Sequence, residues 1–167
     1  MAGGKKLFKF GRIVVLLTGK HAGKKAVIIK VMSEGTKDRA FPHMLVVGMA
    51  RNPKKVSKKM TEERIAKRIR IKPFVKYVNM NHVMPTRYMA KPELELNQVL
   101  KDYETQAVIR QESTARVRDP LANADIKTAL KNKVKRVLEK KYRELELNEN
   151  DESTIKLMFF FKTLRFF

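Results

Sequence analysis

The first strongly patterned stretch of the chain is two apolar runs joined by a basic turn. The runs cover residues 13–17 and 26–29, and they are rich in β-branched residues, which favour strands. Glycine adopts positive φ without steric cost, so Gly19 and Gly23 inside the link, and Gly11 before the first run, are predicted turn glycines. The stretch predicts a β-hairpin whose turn presents positive charge and backbone N–H groups, a combination that suits phosphate.

Three later segments predict three more strands, at residues 44–50, 74–78 and 83–84. Gly48 inside the first of them predicts a bulge or a sharp bend, and Pro85 is expected to end the last one. Five short strands separated by glycine, proline and polar turns are typical of a small closed sheet. The chain is therefore predicted to be mainly β, with a small SH3-like barrel and α extensions.

A short basic helix is predicted between the third and fourth strands, near residues 61–70. Thr61 can cap it, two glutamates follow in its first turn, and basic residues follow toward its end, an order that matches the helix dipole. Ile65 and Ile69 are one turn apart and form a narrow apolar stripe. We expect this stripe to lie on the barrel and the basic side to remain free.

A long amphipathic helix is predicted at residues 119–145. Asp119 and Pro120 form a typical helix start, a cap residue followed by a proline where no N–H is needed. The apolar face can pack on the chain's own barrel or on a neighbouring protein, and a basic amphipathic helix also suits an anionic membrane surface. The residues of the predicted apolar face are Ile126, Leu130, Val134, Val137, Leu138 and Leu145.

The remaining segments complete the predicted organisation. Residues 1–90 form the barrel domain, residues 91–118 an extension, and residues 146–167 an acidic link followed by an aromatic and basic tail. The five phenylalanines of that tail would be an aggregation hazard if they were exposed. We expect them to dock against the barrel, another protein or unstacked bases, with protein packing favoured.

The excess of basic residues indicates which class of partner the chain binds. The chain has 38 lysines and arginines against 17 acidic residues, a formal net charge of +21. Charge of one sign opposes compaction, so a polyanionic partner, most commonly nucleic acid, is the simplest explanation. The segment from Arg51 to Lys76 carries eleven of the cations and only two acids. A merely solvated surface would mix both signs, and this segment is therefore predicted to bind RNA.

The candidate RNA-binding residues are basic side chains spread over the leader, the hairpin turn, the inserted helix, the barrel edge, the long helix and the tail. Phosphate contacts made by such residues position a protein on folded RNA without reading its base sequence. The residues are Lys5, Lys6, Lys9, Arg12, Lys20, His21, Lys24, Lys25, Arg51, Lys54, Lys55, Lys58, Lys59, Arg64, Lys67, Arg68, Arg70, Lys72, Lys76, His82, Arg87, Lys133, Arg136, Lys140 and Arg165.

Enzyme and metal chemistry find no support in the sequence. Cysteine is absent, which excludes disulfides, cysteine zinc sites and cysteine nucleophiles. No phosphate-binding glycine loop, zinc-protease motif or serine-hydrolase elbow occurs, and the three histidines, at 21, 43 and 82, are isolated in sequence. We expect no catalytic residue, no metal and no cofactor. The basic leader precedes an apolar run too short for a signal peptide, no membrane span is predicted, and the chain is expected to be soluble and intracellular.

Several motifs give a family resemblance. The glycine spacing of the hairpin resembles the KOW motif. The stretches HMLVVGMARNPKKV (43–56), IAKRIRIKPFVK (65–76) and NHVMPTRY (81–88) resemble the eukaryote-type family of large-subunit ribosomal protein L-twenty-seven, a KOW-domain family. The tail sequence FFFKTLRF (159–166) also fits that family, and the resemblance is close over residues 5–90.

This resemblance implies a structural constituent of the large ribosomal subunit that binds ribosomal RNA and supports translation, with no catalytic site. It implies neighbouring ribosomal proteins as further partners, met through the C-terminal helix and the Phe159–Phe167 tail, and we expect no homo-oligomer. The expected location is the cytoplasmic ribosome, after a nucleolar assembly stage. The alternative that stays open is a transient KOW-type RNA-binding or transcription-associated module.

Overall fold

The computed structural model describes residues 7–57, 59–90, 96, 121, 124–147 and 152–164. The strands are β1 (Arg12–Leu16), β2 (Lys25–Met32), β3 (His43–Arg51), β4 (Lys72–Asn79) and β5 (Val83–Met89), and the helices are α1 (Glu62–Ile69), α2 (Ala124–Leu147) and α3 (Glu152–Phe161). The expected helix start at Asp119 and Pro120, nearly all of the predicted extension, and four predicted RNA-binding residues lie outside the described residues. Those four are Lys5, Lys6, Lys58 and Arg165.

The strands form one antiparallel sheet in the order β4-β3-β2-β1-β5. β4 and β5 stand at opposite ends of this order, yet only the three-residue 3-10 helix Met80–His82 joins them. So short a link requires the sheet to curl until its two edges approach each other, which is the geometry of a small barrel. The predicted fold class, mainly β with a KOW-like barrel and helical extensions, is confirmed.

Strands β1, β2 and β3 are largely buried on both faces, which explains why they have continuous apolar runs rather than alternating ones. In β1, Val14 lies in an inner cluster and Ile13 in an outer cluster, and both are 0% exposed. The outer cluster is shared with the helices. The buried members of the inner cluster are Val14, Leu16, Ala26, Ile28, Met44, Val46, Phe74 and Val83.

The fifth strand is longer than its sequence predicts. The expectation that Pro85 ends it is wrong, because β5 continues through this residue for four more positions. β5 stands at the edge of the sheet order, where a proline's missing N–H is tolerated. The pairing with β1 is irregular between Arg12 and Val14, and Thr86 Oγ1 donates a hydrogen bond to Ile13 O at 2.6 Å there.

Gly48 serves close packing rather than the bulge predicted for it. It pairs in register with both neighbouring strands. A Cβ at this position would lie 2.5 Å from Cζ of Phe74 and 2.6 Å from the backbone oxygen of Lys25. Glycine is needed here because the Phe74 ring lies against the backbone of β3.

α1 packs on the outer face of the barrel through its apolar stripe, as predicted. Ile69 is buried, and Ile65 is partly buried against the outer cluster. Thr61 occupies the N-cap position with extended backbone, although its side chain makes no capping hydrogen bond. The basic side of the helix therefore points away from the core.

α2 also packs its apolar face on the chain's own barrel. The helix occupies Ala124–Leu147, where the sequence predicts one at 119–145. Leu130, Val134 and Leu138 are buried in the outer cluster, and so is Tyr142, which the predicted apolar face did not include. Among the helices of the described chain, none combines the length and apolar character needed to cross a membrane.

α3 completes the outer cluster with two phenylalanines. Phe160 is 0% exposed and Phe161 is 1% exposed. Of the three expected docking partners of the tail rings, the barrel is confirmed for these two, because they fill the chain's own core, and they are not available to neighbouring proteins. Phe166 and Phe167 lie outside the described residues.

Candidate nucleic-acid interface

The β1–β2 turn is a compact basic loop held by its own hydrogen bonds. Gly19 and Gly23 have φ of 80° and 73°, so both predicted turn glycines adopt the left-handed conformation. The N–H of Gly23 donates to Leu16 O at 2.7 Å, and those of Ala22 and Lys24 donate within the turn. These three amides are therefore not free to bind phosphate, although the sequence predicted exposed N–H groups in this turn.

Several positive charges lie close together at the end of the barrel that carries the β1–β2 turn. The Lys76 ammonium of β4 lies over the turn, 3.8 Å from where a Cβ of Gly19 would be. His21 stacks on Phe74 with ring centroids 4.0 Å apart and an interplanar angle of 4°. Burial lowers the pKa of His21, and the charges of four lysines, Lys76, Lys20, Lys24 and Lys131, lower it further. The turn, β4 and α2 thus contribute to one positive region.

A second basic region joins α1 to the segment before it. Lys54, Lys55, Arg64 and Lys67 are exposed. Arg68 ties the two parts together, because its Nε donates to Lys55 O at 2.9 Å and its own carbonyl accepts the N–H of Lys54 at 3.0 Å. Arg68 thus positions the neighbouring cations in addition to carrying charge.

α2 adds a basic outer side next to α1. Its Glu139 accepts the backbone N–H of Ile71 through Oε1 at 2.9 Å, which fixes the helix at the start of β4. Arg136 and Lys140 flank this anchor and are exposed, while Lys133 is partly buried. The apolar side of α2 faces the barrel, so these cations face away from it.

Arg87 lies on a separate part of the surface, on β5. Its guanidinium carbon is 5.2 Å from the centroid of the Tyr88 ring, and Nη2 donates to Tyr88 Oη at 3.2 Å. This hydrogen bond raises the pKa of Arg87. The Tyr88 ring in turn stacks on the Phe159 ring of α3, with centroids 4.3 Å apart. Tyr88 therefore links Arg87 to α3.

Most of the predicted cations that the structure describes are accessible to solvent. Accessibility is necessary for phosphate contact, and their role in RNA binding stays a prediction. The exposed residues are Lys9, Lys20, Arg51, Lys54, Lys55, Lys59, Arg64, Lys67, Arg70, Lys72, Lys76, His82, Arg87, Arg136 and Lys140. The partly buried ones are Arg12, His21, Lys24, Arg68 and Lys133.

Comparison with known proteins decides the family. Residues 13–167 match the Ribosomal L27e protein family. The chain belongs to this family. It is 44% identical over 161 residues to Large ribosomal subunit protein eL27 of Tetrahymena thermophila, a match that covers 96% of this chain and 99% of that one. It is 52% identical over 83 residues to Large ribosomal subunit protein eL27 of Candida albicans, covering 50% of this chain and 61% of that one.

One predicted RNA-binding residue of this L27e-family chain has a different role. Lys25 is only 6% exposed. Its Nζ donates to the backbone carbonyl of Phe159 and, at 2.8 Å, to that of Lys162. The ammonium also lies 3.8 Å from the centroid of the Phe159 ring. Lys25 is thus a side-chain cap for the C-terminal end of α3, and its prediction as a phosphate ligand is wrong.

A second side chain supports the same helix end. Asn52 Nδ2 donates to Phe161 O at 2.8 Å. The last carbonyls of a helix have no partner inside the helix, and a cation there also interacts favourably with the helix dipole. Lys25 and Asn52 come from β2 and from the segment after β3, so the barrel itself provides the cap. Sequence spacing could not reveal this, because 134 positions separate Lys25 from Phe159.

The buried ammonium gives a test by pH. Burial, together with the charge of Lys162, lowers the pKa of Lys25 from 10.5 to about 8. Between these two values the unfolded chain binds more protons than the folded one, so the free energy of unfolding rises with pH. We expect the stability of the wild type relative to Lys25→Met to increase by about 2 kcal/mol between roughly pH 8 and 10. Urea unfolding of both proteins across this range measures the difference.

Lys24→Met is the matched control for this measurement. Lys24 precedes Lys25 in the chain and is only partly buried. This variant measures how much of any pH effect comes simply from removing a positive charge from the turn. A flat difference for Lys25→Met would mean that Lys25 keeps its proton in the folded chain.

Proposed function

We propose that this chain is a structural constituent of the large ribosomal subunit, where it binds and stabilises folded ribosomal RNA and so supports translation. The observation that carries the proposal is the 44% identity to a protein named as a large ribosomal subunit protein, sustained over 96% of the chain. The net charge of +21 supports it independently, because it calls for a polyanionic partner.

The proposed mechanism is rigid presentation of cations. The barrel and its helical cover hold two basic regions, one at the β1–β2 turn and one at α1, in fixed relative positions. Cations held in this way neutralise phosphates that folding of the RNA brings together, without reading bases. Recognition then depends on the shape of the RNA, and release of counterions makes the affinity steeply dependent on salt.

The same proposal covers partners, chemistry and location. Its partners are large-subunit ribosomal RNA and neighbouring ribosomal proteins, its location is the cytoplasmic ribosome, and it joins the subunit at a nucleolar stage. The chain acts as a single copy and has no catalytic role, metal or cofactor. The candidate RNA-binding residues named above, with the exception of Lys25, are the proposed contacts.

Sedimentation tests the proposal. Tagged full-length protein is expressed in a eukaryotic cell, and the lysate is run through sucrose gradients of increasing salt. A structural constituent is expected to migrate with large subunits even at high salt, because many phosphate contacts are shielded inside the assembly. An authentic constituent of the same subunit is the control for subunit integrity.

Release at moderate salt would overturn the proposal. If the tagged protein remained at the top of the gradient while the control protein stayed with the subunits, the transient KOW-type RNA-binding module would replace it. Family membership would then account for the fold and not for the role.

A further inference from the structure

All three histidines of the chain line one cleft. His21, His43 and His82 lie far apart in sequence, and the structure gathers them in a cleft of about 230 Å³ at the end of the barrel where the β1–β2 turn meets β4. The other residues that line it are Leu16, Thr18, Gly19, Arg39, Phe41, Lys76, Tyr77, Val78 and Asn79. No carboxylate is among these lining residues. The cleft is therefore cationic and rich in rings.

The rings of the cleft form a connected wall. His43 meets Phe41 edge-on at 5.7 Å and Tyr77 edge-on at 5.6 Å. The guanidinium carbon of Arg39 lies 4.6 Å from the Tyr77 ring centroid. Phe41 is 42% exposed, so part of its ring is accessible from the solvent. An exposed ring beside held cations suits a flat, aromatic and negatively charged ligand.

His43 adds a hydrogen-bonding group without a partner. The residue is 1% exposed, and its Nδ1 lies 2.8 Å from Phe41 O. A carbonyl can only accept, so Nδ1 is the donor in this contact. Nε2 is buried and has no hydrogen-bond partner among the described residues. His43 thus brings a buried polar atom without a partner among the described residues to the lining of the cleft.

The cations at the mouth fit a phosphate. Lys76 lines the cleft and its ammonium lies over Gly19 of the turn. Lys20 and Lys24 of the same turn are close enough to lower the pKa of His21, so they share the positive potential. Cations and aromatic rings thus meet in one cleft at the end of the barrel.

We propose that this cleft receives a single unstacked nucleotide of the bound RNA, with its base against Phe41 and its phosphate at Lys76. The inference rests on the proposed function and adds a specific subsite to it. The volume falls below the roughly 300–1,000 Å³ of pockets for drug-sized ligands, so it suits one base and excludes a duplex. The cleft binds one nucleotide that is flipped out of the RNA, while the basic surface binds the rest of the RNA through its shape.

The three histidine rings can serve as NMR probes of the cleft. With histidine labelled in the full-length chain, NMR shows three ring signals, all from the cleft. The probes, at constant pH, are a short single-stranded RNA of random sequence, a blunt duplex of the same length, and inorganic phosphate. The single strand is expected to shift the histidine signals saturably. The duplex should bind through the basic surface and leave the His43 signal in place.

Two variants test the nucleotide contacts. Phe41→Ala should weaken binding of the single strand about tenfold, the size expected for one lost base stack, and leave duplex affinity unchanged. Lys76→Gln should weaken single-strand binding as well. Because Lys76 is also a proposed phosphate contact of the basic surface, this variant supports the subsite only if the single strand loses more affinity than the duplex does. Leu17→Ala, at an exposed residue outside the cleft, is the control and should bind both RNAs as the wild type does.

The outcomes separate this inference from the proposed function. If both RNAs bind and the histidine signals do not move, the nucleotide subsite is overturned while RNA binding stands. If inorganic phosphate alone reproduces the shifts, the cleft is an anion site and the nucleotide assignment is wrong. If neither RNA binds at physiological salt, the proposed function itself fails.

Discussion

Replacing Arg64, Lys67 and Arg70 with glutamine is expected to weaken binding of ribosomal RNA about a hundredfold, or roughly 1 kcal/mol for each lost contact. All three residues are exposed on or next to α1. The logarithmic salt dependence of the affinity should become shallower by about 3, because counterions at three phosphates are no longer released. Filter binding of the full-length protein to large-subunit RNA at several salt concentrations measures both quantities.

Two controls separate a local contact from a general effect of charge. Lys37→Gln in the turn after β2 removes the same charge as Lys67→Gln, and it should have the smaller effect. Replacing Glu62 and Glu63 by glutamine should strengthen binding, since both acids stand in the first turn of the same helix. If the triple variant bound RNA with the affinity and salt slope of the wild type, α1 would not contact RNA. Thermal melts should show a folded triple variant, because Arg68 and the apolar stripe are retained.

Phe160→Ala is expected to lower the free energy of unfolding by about 3–5 kcal/mol, a large fraction of the stability of a small domain. The ring is 0% exposed and packs edge-on against Phe161 at 5.4 Å in the outer cluster. Its removal leaves a cavity between α3 and the sheet that rigid strands cannot close. The expected fall in melting temperature is roughly 10 °C, from about 2–4 °C for each kcal/mol. Differential scanning calorimetry is the direct measurement.

Phe41→Ala is the matched control for Phe160→Ala. It makes the same chemical change at a ring that is 42% exposed. Its melting temperature should fall far less, because little buried surface is lost. Equal shifts for the two variants, or none for Phe160→Ala, would contradict the docking of α3 on the barrel.

The strands were predictable because local signals agree with their burial. β1, β2 and β3 are buried on both faces, and a continuous β-branched run bounded by glycine indicates such a strand without any knowledge of its neighbours. Gly19 and Gly23 could also be predicted as turn residues from the local sequence, because left-handed backbone strongly favours glycine. The helix dipole pattern around Thr61 likewise depends only on residues within one turn.

The role of Lys25 and the histidine cleft depend on contacts that local pattern does not encode. Lys25 resembles its neighbours Lys20 and Lys24 in sequence, and only the docking of α3 makes it a buried cap. The cleft unites His21, His43 and His82, and each alone looks like an ordinary turn or strand residue. Nor did the sequence indicate that Arg39 and Phe41 belong to a site. Their roles depend on contacts with Tyr77 and His43, which the curled sheet brings beside them.

The capping of α3 by β2 has a consequence for synthesis of the chain. The barrel is complete only when β5 has been made, at Met89, and Phe159 follows 70 residues later, so the part of its outer side that α3 covers stays open for roughly 4–14 s at 5–20 residues per second. During that interval the nascent chain exposes the apolar outer face of the sheet together with many positively charged side chains. The outer cluster can therefore be completed only late in translation, when Phe160 and Phe161 of α3 have been made.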